Sequence, residues 1–173
     1  MNSRRFWRLS AIVALSLAVL PSGAIAQQKS LKDQLVGAWT LVSVINEQSD
    51  GTKIEGFGPG PKGIIIFTSD GYFSLLQTRT DLPKVAANDR AKATPDEALT
   101  IARGSIAYYG TYVANDADKI VAVKIEASTF PNLIGTDQKR IVTSITPEEL
   151  KFTNPRTPSG AILYTVWKRA PAP

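Results

Sequence analysis

The sequence predicts an all-β protein: an eight-stranded antiparallel up-and-down barrel, with a short N-terminal helix and one helix between the third and fourth strands. Three observations carry that expectation. Eight segments alternate apolar and polar residues at period two. Short turns join most of them, and short connections force sequential strands into antiparallel contact. The first and last segments also carry one tryptophan each, Trp39 and Trp167. An open sheet would leave exactly those two strands as unpaired edges, whereas a closed one makes them neighbours.

The chain opens with Arg4, Arg5 and Arg8, the apolar run AIVALSLAVL and the small-residue pattern Ala24-Ile25-Ala26. Together these read as a secretory signal over residues 1–26. The run is too short to span a bilayer, which takes roughly 20 residues. Residues 27–173 then form one domain, of a size that needs no covalent staples. The chain has no cysteine, so the exported product does without disulfides and without a lipid-bearing cysteine. The expected location is the periplasm or the medium, with no stable membrane insertion after cleavage. Loss of Arg4, Arg5 and Arg8 lowers the formal net charge from +5 to +2. The remaining charge is scattered, which argues against a nucleic-acid partner.

In SLKDQLVG, Ser30 caps a short helix whose Leu31 and Leu35 share one face, and Gly37 ends it. The strands follow at 37–46, 63–68, 71–79, 105–114, 119–127, 138–146, 149–154 and 161–169. Asp70-Gly71 makes a hairpin turn between the second and third strands, glycine supplying positive φ. NDAD and TPEE punctuate later strands. In TPDEALTIARG, Thr94 caps, Pro95 opens, Glu97 completes a capping box and Gly104 stops the second helix. The polar linker 80–93 before it is expected to cross one end of the barrel as a lid or flank. EGFGPGPKG is no phosphate cradle, because it leads into the β-run IIIF and its prolines remove donors.

Gly37-Ala38-Trp39 after a short helix resembles the glycine-any-tryptophan signature of lipocalins. There the tryptophan plugs the closed end of the barrel and a basic residue near the chain end stacks on it. Arg169 in LYTVWKR is the matching residue. The order LVGAWTLVS, FGPGPKGIIIFTSDGYFS, TPDEALTIA, IAYYGTYVAND, TFPNLIGTDQKR and LYTVWKR is similar to the bacterial and fungal lipocalin-like domain family over nearly all of residues 31–170. The resemblance implies a calycin-type barrel, structural roles for Pro131, Asn132 and Gly135, and a family whose members mostly lack an assigned activity. Members often carry histidine where this chain has Val123 and Lys124, which puts any histidine-dependent role in doubt.

With neither His nor Cys, the chain builds no serine–histidine triad, no thiol nucleophile and no nitrogen–sulfur zinc site. No metal or cofactor is expected. NDAD reads as a turn, since its length does not match a calcium loop. Parity puts Val121, Val123 and Ile125 on one face and Lys124 and Glu126 on the other, and the charged pair is expected to face water. Tyr108 and Tyr112 share a face with Ile106, and an inward pair would satisfy each other or present two donors to a ligand. Arg140 has two readings: a cation fixing a ligand carboxylate or carbonyl at the mouth, or a structural arginine that caps loop carbonyls or pairs with Glu126. Gln77 and Arg79 are candidates for the rim.

The expected function is an exported barrel binding a small, largely apolar molecule, with Tyr108, Tyr112, Arg140, Gln77 and Arg79 as candidate ligand-binding residues. Gly37, Trp39, Trp167 and Arg169 are expected to be structural. A cofactor-independent isomerase, cyclase or dehydratase using the same cavity is the alternative, with Glu126 as its base if that carboxylate points inward. A third reading is a packed structural module.

Overall fold

Sequence alternation becomes a ring of strands in chain order. The computed structural model describes residues 29–157 and 160–171; residues 1–26, read above as an export signal, lie outside the described residues. The strands are β1 (Gly37–Glu47), β2 (Lys53–Glu55), β3 (Lys62–Phe67), β4 (Tyr72–Thr78), β5 (Ser105–Asn115), β6 (Ile120–Ser128), β7 (Asp137–Ile145), β8 (Glu149–Asn154) and β9 (Ile162–Arg169). β1 and β3 to β9 circle the lumen as antiparallel neighbours, and β9 closes onto β1. The closing register pairs Trp39 with Arg169 and Leu41 with Trp167. The eight expected strands are therefore present, within a residue or two of their expected ends. The short β2 is an addition: its three exposed residues pair with the end of β1 and are too few to show alternation.

One end of the barrel is plugged. Helix α1 (Leu31–Leu35) is capped by Ser30, whose Oγ accepts from the Asp33 N–H. It lays Leu31 and Leu35 over the lumen, where both are fully buried, as are Trp39 and Trp167. Trp39 Nε1–H donates to the Leu35 carbonyl at 2.8 Å, tying helix to strand. Trp167 Nε1–H donates to Thr165 Oγ1 at 2.9 Å, and its ring stacks on Phe152. A buried indole removes roughly 150–250 Å² from water. At ~25 cal/mol per Å², each tryptophan contributes about 4–6 kcal/mol of transfer free energy.

From this plug an aromatic ladder climbs the lumen. Tyr112 meets Phe67 edge-on with ring centroids 5.0 Å apart, Phe67 stacks on Phe73, and Phe73 meets Tyr108 edge-on at 6.0 Å. The ladder fixes Tyr108 from below. It leaves the far end of the lumen to thinner side chains.

That far end carries helix α2 (Pro95–Gly104), with the expected capping box between Thr94 and Glu97. The excursion 79–104 leaves and rejoins the sheet beside one rung, Thr78 with Ser105, and the Arg79 N–H donates to the Gly104 carbonyl at 2.8 Å. Glu97 Oε1 also accepts from the Ala86 N–H at 2.9 Å, fastening the linker to the helix. Opposite, Pro131–Leu133 forms a single 3-10 turn and Gly135 takes φ +77°, so Pro131, Asn132 and Gly135 shape a loop at the same end.

Candidate functional site

The lumen divides in two. Below Tyr108 it is filled by the plug and the ladder. Above it lies a chamber of about 280 Å³, walled by Phe57, Ile106, Phe130, Leu133 and Leu163, with Gln77, Tyr108, Gln138, Asn154 and Thr157 as its polar members. Phe57, Ile106 and Phe130 also wall a larger vestibule of about 500 Å³. Ala98, Ile101 and Ala102 of α2, with Val85 of the linker, form the other side of that vestibule. Gly104 is the one buried residue of α2. The apolar stripe of the helix thus overlooks a cavity instead of packing into a core.

Side-chain volume along the strands explains the hollow. Inward positions of the lower half carry Trp, Phe, Leu and Ile. At the mouth the inward positions of β4, β7 and β8 carry Gln77, Gln138 and Asn154, and amides do not pack to fill an apolar lumen. Gln77 is only 4 % exposed and Asn154 6 % exposed. The Asn154 Oδ1 is buried without a hydrogen-bond partner. The Gln77 amide makes no hydrogen bond to the described residues.

Arg140 lies beside this polar group and is 5 % exposed. Its Nη2 donates to Gln138 Oε1 at 2.9 Å and to the Tyr108 hydroxyl at 3.2 Å, and its Nη1 donates to the Lys139 carbonyl at 3.3 Å. The guanidinium therefore reaches toward the chamber through two of its polar walls.

The structure brings three of the expected ligand-binding residues together: Gln77, Tyr108 and Arg140. It separates the other two. Tyr112 shares the inward face but lies deeper, packed on Phe67, and its hydroxyl donates to the Thr68 carbonyl at 2.8 Å. Burial, with the charges of Asp70 and Asp33, raises its phenol above the ordinary value. Tyr108 and Tyr112 thus do not satisfy each other, because parity fixes the face and not the depth. Arg79 is exposed and forms a two-pronged ion pair with Asp81, at 2.8 and 2.6 Å, instead of rimming the chamber. Glu126 and Lys124 are exposed on the outer face of β6, so Glu126 neither supplies a base to the chamber nor pairs with Arg140. Among the described residues no three His, Cys, Asp or Glu converge to hold a metal ion.

Asn154, Gln138 and the apolar walls were not singled out in the sequence. A signal for Asn154 was present: in ELKFTN it continues the inward series Leu150 and Phe152, and a polar residue at an inward position marks a lumen that is not simply core.

Residues 36–170 match the profile of the lipocalin-like domain family. No curated protein matches the chain. Among solved structures, a lipocalin-like protein from Bacteroides uniformis ATCC 8492 is 12% identical with a TM-score of 0.43, over 79% of this chain and 99% of that one. The redesigned β-barrel b11L5F_LGL is 18% identical with a TM-score of 0.45, over 83% and 98% of the two chains. The redesigned β-barrel mFAP1, solved bound to DFHBI, is 17% identical with a TM-score of 0.43, over 82% and 100%.

Proposed function

The chain belongs to the lipocalin-like domain family, and from that premise we propose that it is an exported barrel that holds one small, largely apolar molecule in its open-end chamber. The observation that carries the reading is the divided lumen. A barrel whose only task was structural would fill the mouth as it fills the base. Here the base is packed with indole and phenyl rings while the mouth keeps a chamber of about 280 Å³ with apolar walls and under-used amides. Export rests on residues 1–26, whose basic start, apolar run and small-residue end match a secretory signal.

The mechanism is desolvation followed by orientation. A guest that hides about 200–300 Å² of apolar surface gains roughly 5–8 kcal/mol. Association itself costs at least about 4 kcal/mol in lost freedom. The apolar term therefore leaves a weak net affinity, and the polar members of the chamber decide how tightly and in which direction the guest sits. The vestibule provides the way in, past Phe57 and Phe130.

Native mass spectrometry of the protein purified from its own host tests this reading. A mass excess that disappears on denaturation, matched by a small molecule in the extract, is the expected result. Protein of bare chain mass that also fails to bind any apolar probe contradicts it.

A further inference from the structure

Arg140 is charged, almost fully buried, and surrounded by neutral acceptors: the Tyr108 hydroxyl, Gln138 Oε1 and the Lys139 carbonyl. None of the ion pairs among the described residues includes it. The contrast with Arg169 is informative. That arginine satisfies the carbonyls of Gln34, Val36 and Pro147 and lies on the Trp39 ring, so its work is structural. Arg140 has no such employment, and a buried cation without a counter-charge is disfavoured unless something supplies one.

The hydrogen bonds around it say what that something is. Because the Tyr108 oxygen accepts from Arg140, its own O–H is left to donate, and Tyr108 lines the chamber. Because Gln138 Oε1 also accepts from Arg140, the free capacity of that side chain is on its amide nitrogen, which otherwise meets only Thr136 Oγ1 at 3.3 Å. The guanidinium thus turns both neighbours into donors facing the chamber. A charged acceptor is the strongest partner for such donors. One unpaired cation matches one negative charge.

The opposite need stands nearby. By strand register Asn154 lies across from Arg140, one rung beyond the Ile141–Thr153 pair, and its buried Oδ1 lacks a donor. A hydroxyl or N–H on the guest would meet it.

Resting on the binding role proposed above, we infer that the ligand is an amphiphilic monocarboxylic acid, held head-inward with its carboxylate at Tyr108 and Gln138 beside Arg140 and its apolar body extending past Ile106 and Phe130 into the vestibule. Neutral apolar molecules of the same shape would occupy the chamber but leave the cation uncompensated.

Displacement of the fluorescent apolar probe N-phenyl-1-naphthylamine by decanoate and by decan-1-ol, at neutral pH, tests this with the full-length mature protein. The expected result is a preference for decanoate of about tenfold or more, the scale of a charge-assisted hydrogen bond. Arg140→Gln should bring the preference close to unity while decan-1-ol still competes. Tyr108→Phe, which keeps the ring of the ladder, should reduce the preference at least severalfold and stands in if the Arg140 variant does not fold. Equal competition by both compounds on the wild type overturns the carboxylate inference and leaves the binding role intact. No binding of the probe or of either compound overturns both.

Discussion

The guanidinium of Arg169 lies 3.7 Å from the centroid of the Trp39 ring and donates to the carbonyls of Gln34 and Val36 at 2.8 Å and of Pro147 at 3.1 Å. One side chain thus locks α1, the start of β1, the β7–β8 turn and the end of β9 together where the barrel closes. Arg169→Met should destabilise the protein by about 2–4 kcal/mol, the sum of a lost cation–π contact and of carbonyls left short of donors. Arg169→Lys should fall between the two, since an ammonium keeps the charge and loses the planar fork. Urea unfolding followed by tryptophan emission measures both. A Met variant as stable as the wild type would refute the lock.

The filled and hollow halves should respond differently to truncation. Leu150 is fully buried at the base, whereas Leu163 faces the chamber. Leu150→Ala should cost about 3–5 kcal/mol, the range for emptying a tight core. Leu163→Ala should cost clearly less, because its side chain already borders space. Equal losses in denaturant unfolding would mean that the chamber is as tightly packed as the base.

Two glycines separate crowding from backbone strain. A Cβ on Gly110 would lie 1.9 Å from the Lys124 carbonyl oxygen, at the irregular rung where β5 meets β6. Gly110→Ala should therefore fail to fold or lose more than about 3 kcal/mol, since main chain has to move. Gly135 has φ +77° but open space around it. Its alanine variant should lose only about 1–2 kcal/mol, the cost of a left-handed conformation. Thermal unfolding of the pair distinguishes the two.

Acid should loosen the linker before the barrel. Hydrogen bonds from the main-chain N–H groups of Ala86 and Thr94 hold the Glu97 carboxyl below its ordinary value. A depressed carboxylate stabilises the folded state above the ordinary glutamate value and withdraws that support as pH falls through the folded-state value. The protection of amides in the linker and the first turn of α2, measured against the intrinsic exchange rate at each pH, should therefore fall below pH about 4.5. Glu97→Gln should remove most of that pH dependence. Protection that stays the same between neutral and acidic pH would show that the carboxylate is no latch.

The ring of strands was legible because alternation and turn chemistry are local. TPDEALTIARG announced its capping box within four residues, and Trp39 with Arg169 followed from a family resemblance that the closing register bears out. Alternation also favoured the outside for Glu126 and Lys124, as found, and put Tyr108 on the face of Ile106 without saying that this face is the inner one. Depth within the lumen was not legible. Tyr108 and Tyr112 differ by two inward steps, with Gly110 between them, yet one walls the chamber and the other is locked in the base. That difference depends on which rings arrive from β3 and β4 to fill the intervening volume, a property of several strands at once. The three-residue β2 escaped for the reverse reason, having too little sequence to carry a period.

Titration of the protein with N-phenyl-1-naphthylamine, in parallel with Leu163→Trp, tests the hollow mouth most directly. We expect a saturable, blue-shifted emission with one site per chain in the wild type, and its loss when the indole fills the chamber of a variant that remains folded. Absence of a saturable signal, or a signal that survives the filled chamber, would contradict the account.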